Sequence, residues 1–298
     1  MPGALYEPPG VGRVGATRVP LFPIIREENA MAEPGAIAAS AHRLAATGVR
    51  ARSRFYVGIA VTFLVIMIWG FARSFYLRPL FTVHHSLDLS GAASMPLLPV
   101  LHGLVITAWF LLFFAQVWLA AMRRVDVHRQ LGIAAVSVAA LLVVLTLPTM
   151  ILSIPRFDHA HIPREVTGQI VIGDSLALVW FTLFVGTAVW LRGHADTHKR
   201  LMVLASLAIL PPALARIGDM LGNPAVAIVG GTIALWLALA IHDYVSRKRL
   251  HSATVWGGLL IIVANPLLMA WLSALDGHYK IVDALGRFGY ALAGASGG

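Results

Sequence analysis

Between Phe55 and Leu275 the chain alternates between long apolar runs and short polar turns. The runs cover 55–77, 98–122, 129–154, 166–191, 198–217, 220–244 and 253–275. A helix rises ~1.5 Å per residue, so each run reaches roughly 30 Å, the thickness of a hydrocarbon core. The pattern predicts an all-α protein: a bundle of seven transmembrane helices. Two runs carry internal breaks. Pro211-Pro212 interrupts the fifth, and Asn265-Pro266 the seventh. Proline removes a backbone donor, which leaves carbonyls that need another partner inside a membrane.

Charge sets the expected orientation. Of the 23 Lys and Arg, seven lie in residues 1–54 and three in each of three turns: Arg123, Arg124, Arg129; Arg192, Lys199, Arg200; and Arg247, Lys248, Arg249. The opposite side holds the remaining seven: Arg73, Arg78, Arg156, Arg164, Arg216, Lys280 and Arg287. Positive residues accumulate on the cytoplasmic side, which predicts an N-in, C-out protein of the cell inner membrane. The basic turns then face the anionic inner leaflet, and this accounts for the formal net charge of +9 without a nucleic acid partner.

Composition fits that reading. Of the 298 residues 58% are hydrophobic and 12% charged, about half the charged share of a soluble domain. There are no cysteines, which excludes disulfides, thiolate metal sites, iron–sulfur clusters and cysteine nucleophiles. No lysine falls in the interior of a run, Lys199 being the second residue of the fifth, so a retinal Schiff base is excluded as well. Residues 1–54 read as a flexible basic cytoplasmic tail with a weak helix over 37–48, no signal peptide, and a second plausible start at Met31. Residues 276–298 read as a short extracytoplasmic tail.

Twelve histidines against fourteen carboxylates direct attention to imidazole. Two turns share one pattern: Asp126-Val127-His128-Arg129 and, seventy residues later, Asp196-Thr197-His198-Lys199. Asp there can cap a helix while the basic residues anchor at the headgroups. Alternatively, His128 and His198, at one depth on two helices, ligate iron. In the second run His102, Trp109 and Gln116 recur every seven residues and share a helix face. They form either an interhelical hydrogen-bonding stripe or the wall of a ligand site. Asp174 lies inside the fourth run, where a carboxylate needs a partner or water. Arg73 or Arg216 can pair with it, or these residues, with Asp219 and Asn265, line a polar cavity opening outward. The outer loops add His84, His85 and Asp88, then Asp158, His159 and His161, best read as solvated; no multi-histidine metal motif accompanies them.

The segments Arg73-Ser74-Phe75-Tyr76-Leu77-Arg78-Pro79, Leu101-His102-Gly103, Val125-Asp126-Val127-His128-Arg129-Gln130-Leu131-Gly132 and His198-Lys199-Arg200-Leu201-Met202 together resemble a group of uncharacterised bacterial polytopic membrane proteins, over about residues 55–275. That likeness implies a membrane bundle and no particular activity. His-Arg-x-Leu-Gly at a helix start also looks like elements of membrane cytochromes b and haem A synthases, whose paired histidines are matched in part. The expected function is a membrane redox protein binding haem b or handling a quinone or small apolar ligand, with His102, His128 and His198 as ligands. The alternatives are a cofactor-free transporter or small-molecule binding protein, and a structural subunit held by membrane partners.

Overall fold

The computed structural model describes residues 54–80, 97–159, 161–275 and 277–295. Residues 1–53, with the helix expected over 37–48, and His84, His85 and Asp88 lie outside the described residues, as does the side chain of His159. The described residues are helical, without a strand. The helices are α1 (Arg54–Gly70), α2 (Leu97–Ala121), α3 (Val125–His159), α4 (Arg164–Trp190), α5 (Ala195–Ala208), α6 (Pro211–Met220), α7 (Pro224–Arg247), α8 (Ser252–Gly258), α9 (Asn265–Ala274) and α10 (Gly277–Ala295). Helices α2, α3, α4 and α7, and the run Ser252–Ala274 that joins α8 to α9, are each long and apolar enough to cross a membrane. This is a multi-pass membrane architecture.

Three of the seven apolar runs are not plain helices, and proline marks the break in two of them. The first ends as a helix at Gly70 and continues as a π-helical turn, Ala72–Tyr76. Gly70 packs so closely on α6 that an added Cβ would lie 2.5 Å from the Ala213 carbonyl oxygen. The fifth run is broken into α5 and α6, bent by 46°. Pro211 and Pro212 open α6 at the positions where a missing N–H does least harm. In the last run Pro266 removes a donor, and the residues before it, Leu259–Ala264, widen into a π-helix.

Turn chemistry fixes the other ends. Arg123 takes a left-handed conformation (φ 59°) and lets Arg124 N–H bond the Leu119 carbonyl at 2.9 Å, closing α2 with a Schellman turn. The same device closes α3, with His161 left-handed and Ile162 N–H on the Phe157 carbonyl at 3.0 Å. Asn223 caps α7, its side chain accepting from Val226 N–H at 3.0 Å.

Helix α5 is the centre of the bundle: Leu201, Leu204, Leu207 and Ala208 are all buried, and Trp109, Phe110, Phe181 and Leu239 from α2, α4 and α7 close around it. Outside, the surface stays apolar. Ile133 is 74% exposed and Trp190 79%, which suits lipid and not water. Residues 277–295, read from sequence only as a tail, form a helix seated across α3 and α4. Val282 and Leu285 of α10 pack on Ile154 and Val171, and Asp283 pairs with Arg164.

Candidate functional site

One end of the bundle gathers the basic turns. His128, in the first turn of α3, points its Nδ1 at the Gln116 carbonyl on α2, 3.2 Å away. His198, in the first turn of α5, points its Nδ1 at the Ala188 carbonyl on α4, 2.8 Å away. A carbonyl only accepts, so Nδ1 carries a proton in both rings, and in the neutral ring Nε2 then holds the lone pair. Neither Nε2 has a hydrogen-bond partner among the described residues. The ring centroids are 6.5 Å apart, with an interplanar angle of 85°. Backbone carbonyls that orient imidazoles in this way are the usual outer support of metal-ligating histidines.

The shared turn pattern thus gives shared geometry, but not through capping by Asp196. The N-cap of α5 is His194, and no side chain caps it. Asp196 instead receives Lys199 Nζ at 2.5 Å and Arg247 Nη1 at 2.9 Å. Its carboxyl is held down to about 2, first by the Lys199 hydrogen bond and then by the charges of Lys199, Arg200 and Arg247.

Beside the histidines lies an ion pair that the sequence did not announce. Arg200 and Asp243 are both buried. The Arg200 Nε donates to Asp243 Oδ1 at 2.9 Å and Oδ2 at 3.0 Å, and Nη2 also donates to Oδ1. Thr254 Oγ1 donates to Oδ2 at 2.6 Å, and Arg200 Nη1 donates to the Asp196 carbonyl at 2.6 Å. Helices α5, α7 and α8 are thereby locked at one level. Lys199 lies 5.0 Å above the Tyr56 ring, and His242 stacks on Phe55 with centroids 3.9 Å apart, which brings α1 to the same end. The only signal in the sequence was that Arg200 and Asp243 lie one turn inside adjacent runs.

The second-run stripe divides. Gln116 supplies the His128 carbonyl acceptor, and its side-chain amide lies against Gly132. Trp109 is core: 1% exposed, its indole N–H donating to Ser206 Oγ at 3.2 Å, its ring edge-on to Phe181. His102 lies fourteen residues from Gln116, roughly 21 Å along α2, so it belongs to the opposite end and not to the His128–His198 pair.

At that opposite end stands Arg216 of α6. Its guanidinium packs on the Phe71 ring at 4.3 Å and donates to the Pro212 carbonyl at 2.9 Å. Asp174 makes no contact ion pair among the described residues, neither with Arg73 nor with Arg216. Arg73 sits in the π-helical turn and Asp219 in the last turn of α6, both part-buried. Asn265 accepts from Trp180 Nε1 at 3.1 Å, tying α9 to α4. Asp158, expected in a solvated loop, ends α3 and accepts from the Tyr290 hydroxyl at 3.1 Å. His161 is the left-handed residue of that helix end. Among the described residues no three His, Asp or Glu come together as a metal-binding group.

No protein-family model, curated protein or solved structure matches this chain.

Proposed function

We propose that this is a seven-span inner-membrane redox protein, N-terminus in the cytoplasm, that holds a haem b iron between His128 and His198. The observation that carries the reading is the histidine pair itself. Two rings on different helices stand 6.5 Å apart, each with its tautomer set by a backbone carbonyl and its Nε2 lone pair uncommitted. The pair suits an iron that needs two neutral imidazoles, and haem there would supply one-electron transfer. His102, at the far end of α2, is no ligand in this reading.

Seven spans follow if α1 with its π-helical turn and the bent α5–α6 pair each cross once. The gathering of the basic turns at one end, with Tyr56 of α1 beside Lys199, supports that alternation, and the excess of Lys and Arg in those turns supports a cytoplasmic location for them.

The test is the absorption spectrum of full-length protein purified after haem-replete expression. A Soret band should be present, and His128→Ala and His198→Ala should each abolish it or shift it to a one-histidine form. A wild-type protein without a Soret band would overturn the reading.

A further inference from the structure

Helix α10 turns one face to the end of α3 and the start of α4. Asp283, Gly286, Arg287 and Tyr290 recur at i, i+3, i+4 and i+7, the spacing of a single helix side. Asp283 holds Arg164 of α4, and the Tyr290 hydroxyl donates to Asp158 Oδ2 of α3 at 3.1 Å. Glycine allows the close approach: a Cβ on Gly289 would lie 2.8 Å from the Ile151 carbonyl oxygen. All four residues of that α10 face line one cavity of about 190 Å³, together with Asp158 and Arg164. Ile154 and Val282 give it a buried apolar wall, while the two arginines, Asp158 and Tyr290 are exposed at its edge.

The charges around this cavity do not close. Arg164 and Asp283 neutralise each other. Arg287 follows Asp283 by four residues, the spacing of a helical ion pair, but Asp283 is taken by Arg164. Arg287 therefore has no ion-pair partner among the described residues. Asp158 receives a neutral phenol and no cation. A guanidinium only donates and an ionised carboxylate only accepts, so one cavity carries a spare cationic donor and a spare anionic acceptor. A buried hydroxyl adds to them. Thr146, Thr149, Ser175 and Thr182 each donate to the carbonyl four residues back. Thr167, 1% exposed and part of the cavity wall, does not, and its Oγ1 has no partner among the described residues. Buried polar groups are nearly always paired. A hydroxyl donates and accepts, so it serves either end of a ligand and selects neither.

The volume lies below the ~300 Å³ at which drug-sized sites begin, so the ligand is small. We infer that the cavity binds a small zwitterion, with its anionic oxygen group on Arg287, its primary ammonium on Asp158, and Thr167 completing one end. A quaternary ammonium has no N–H to give Asp158 and fits less well. Two sources offer this chemistry at a helix end: the headgroup of an ethanolamine phospholipid, and a free α-amino acid. Asp158 stands thirty residues after His128 along α3, so the site is remote from the histidine pair and rests on no part of the haem reading.

The experiment separates the two sources. Full-length protein, stripped of lipid in detergent, is titrated with dihexanoyl phosphatidylethanolamine, dihexanoyl phosphatidylcholine and glycine while its melting temperature is followed. A ligand of the folded state raises that temperature saturably. The ethanolamine lipid or glycine should do so, and the one that does names the source; the choline lipid should bind about tenfold more weakly. Arg287→Gln and Asp158→Asn should each weaken binding about tenfold, the worth of a charge-assisted hydrogen bond. Asp158→Asn should also lose the preference over choline. Its amide oxygen still accepts from Tyr290, and Arg287→Gln removes a charge with no partner, so both should melt without ligand as wild type does. Arg249→Gln, at the other end of the bundle, should bind as wild type. The inference is overturned by no saturable rise with either primary amine, by a choline lipid that binds as tightly as they do, or by unchanged affinity in both variants. A lowered ligand-free melting temperature of Arg287→Gln, or equal weakening in Arg249→Gln, would overturn it too.

Discussion

The pair Arg200–Asp243 shows most directly what one side chain does for this bundle. Each is buried, and Asp243 also takes Thr254 as a donor. Asp243→Asn keeps the shape but leaves the buried guanidinium with only the exposed Asp196 carboxylate, 3.5 Å away, as counter-charge. It should destabilise the protein by about 3–5 kcal/mol, measured by unfolding in detergent. The double variant Arg200→Met with Asp243→Leu should recover most of the loss; a double variant as unstable as Asp243→Asn would show that the pair's role is not electrostatic. Near it, His251 caps α8, its Nδ1 accepting from Ala253 N–H at 3.1 Å. Its pKa is lowered, first by burial and then by the charges of Arg200 and Arg247. A folded pKa below the ordinary 6.5 means that this contribution is complete above 6.5 and is lost as pH falls through the folded value. His251→Asn supplies a cap oxygen that does not titrate, so melting curves should show less loss of stability below pH 6.5 than wild type. Depth along a helix was readable for all these residues; rotation was not. An arginine one turn inside a run looks the same whether it reaches for headgroups or turns inward to an aspartate, so Arg200 passed as a loop charge, while the repeated turn singled out His128 and His198 as neighbours at one level.

Helices here owe their shape as much to small residues and prolines as to apolar pattern. Both proline breaks were readable, because a missing N–H has a local consequence. The end of α1 at Gly70 was not, since its cause is a helix encountered more than a hundred residues later. Gly70→Val should push α1 off α6 and destabilise by a few kcal/mol, roughly the cost of overpacking a core. Gly58, in the same helix, has nothing within 4 Å of an added Cβ. Gly58→Ala should therefore stabilise by about 0.5–1 kcal/mol through helix propensity. Unfolding curves of both variants test the contact: equal effects would mean that α1 and α6 are not in register at Gly70. Helix α10 escaped notice for a related reason. Its apolar side, with Val282 and Leu285, has meaning only against Ile154 and Val171, and its charges read as those of a tail until Asp283 meets Arg164.

For the molecule as a whole, the charge asymmetry makes the sharpest claim. A reporter active only in the cytoplasm should work when fused after Arg249 and fall silent when fused after Arg164; the reverse result would invert the topology. The helical class and the membrane character were legible because length and apolarity are properties of each run alone. The relation between the two polar ends was not, because it depends on which helices meet. Arg200 has a consequence for how the protein is made. Its counter-charge, Asp243, lies 43 residues further along the chain. At synthesis rates of about 5–20 residues per second, roughly 2–9 s pass between the two. During that interval the Arg200 guanidinium has only the exposed Asp196 carboxylate, four residues earlier, as counter-charge and lacks its buried one. The most buried helix of the finished bundle should therefore settle only once α7 arrives, and ribosomes stalled before Asp243 should leave nascent chains whose α5 is still accessible to water-soluble reagents.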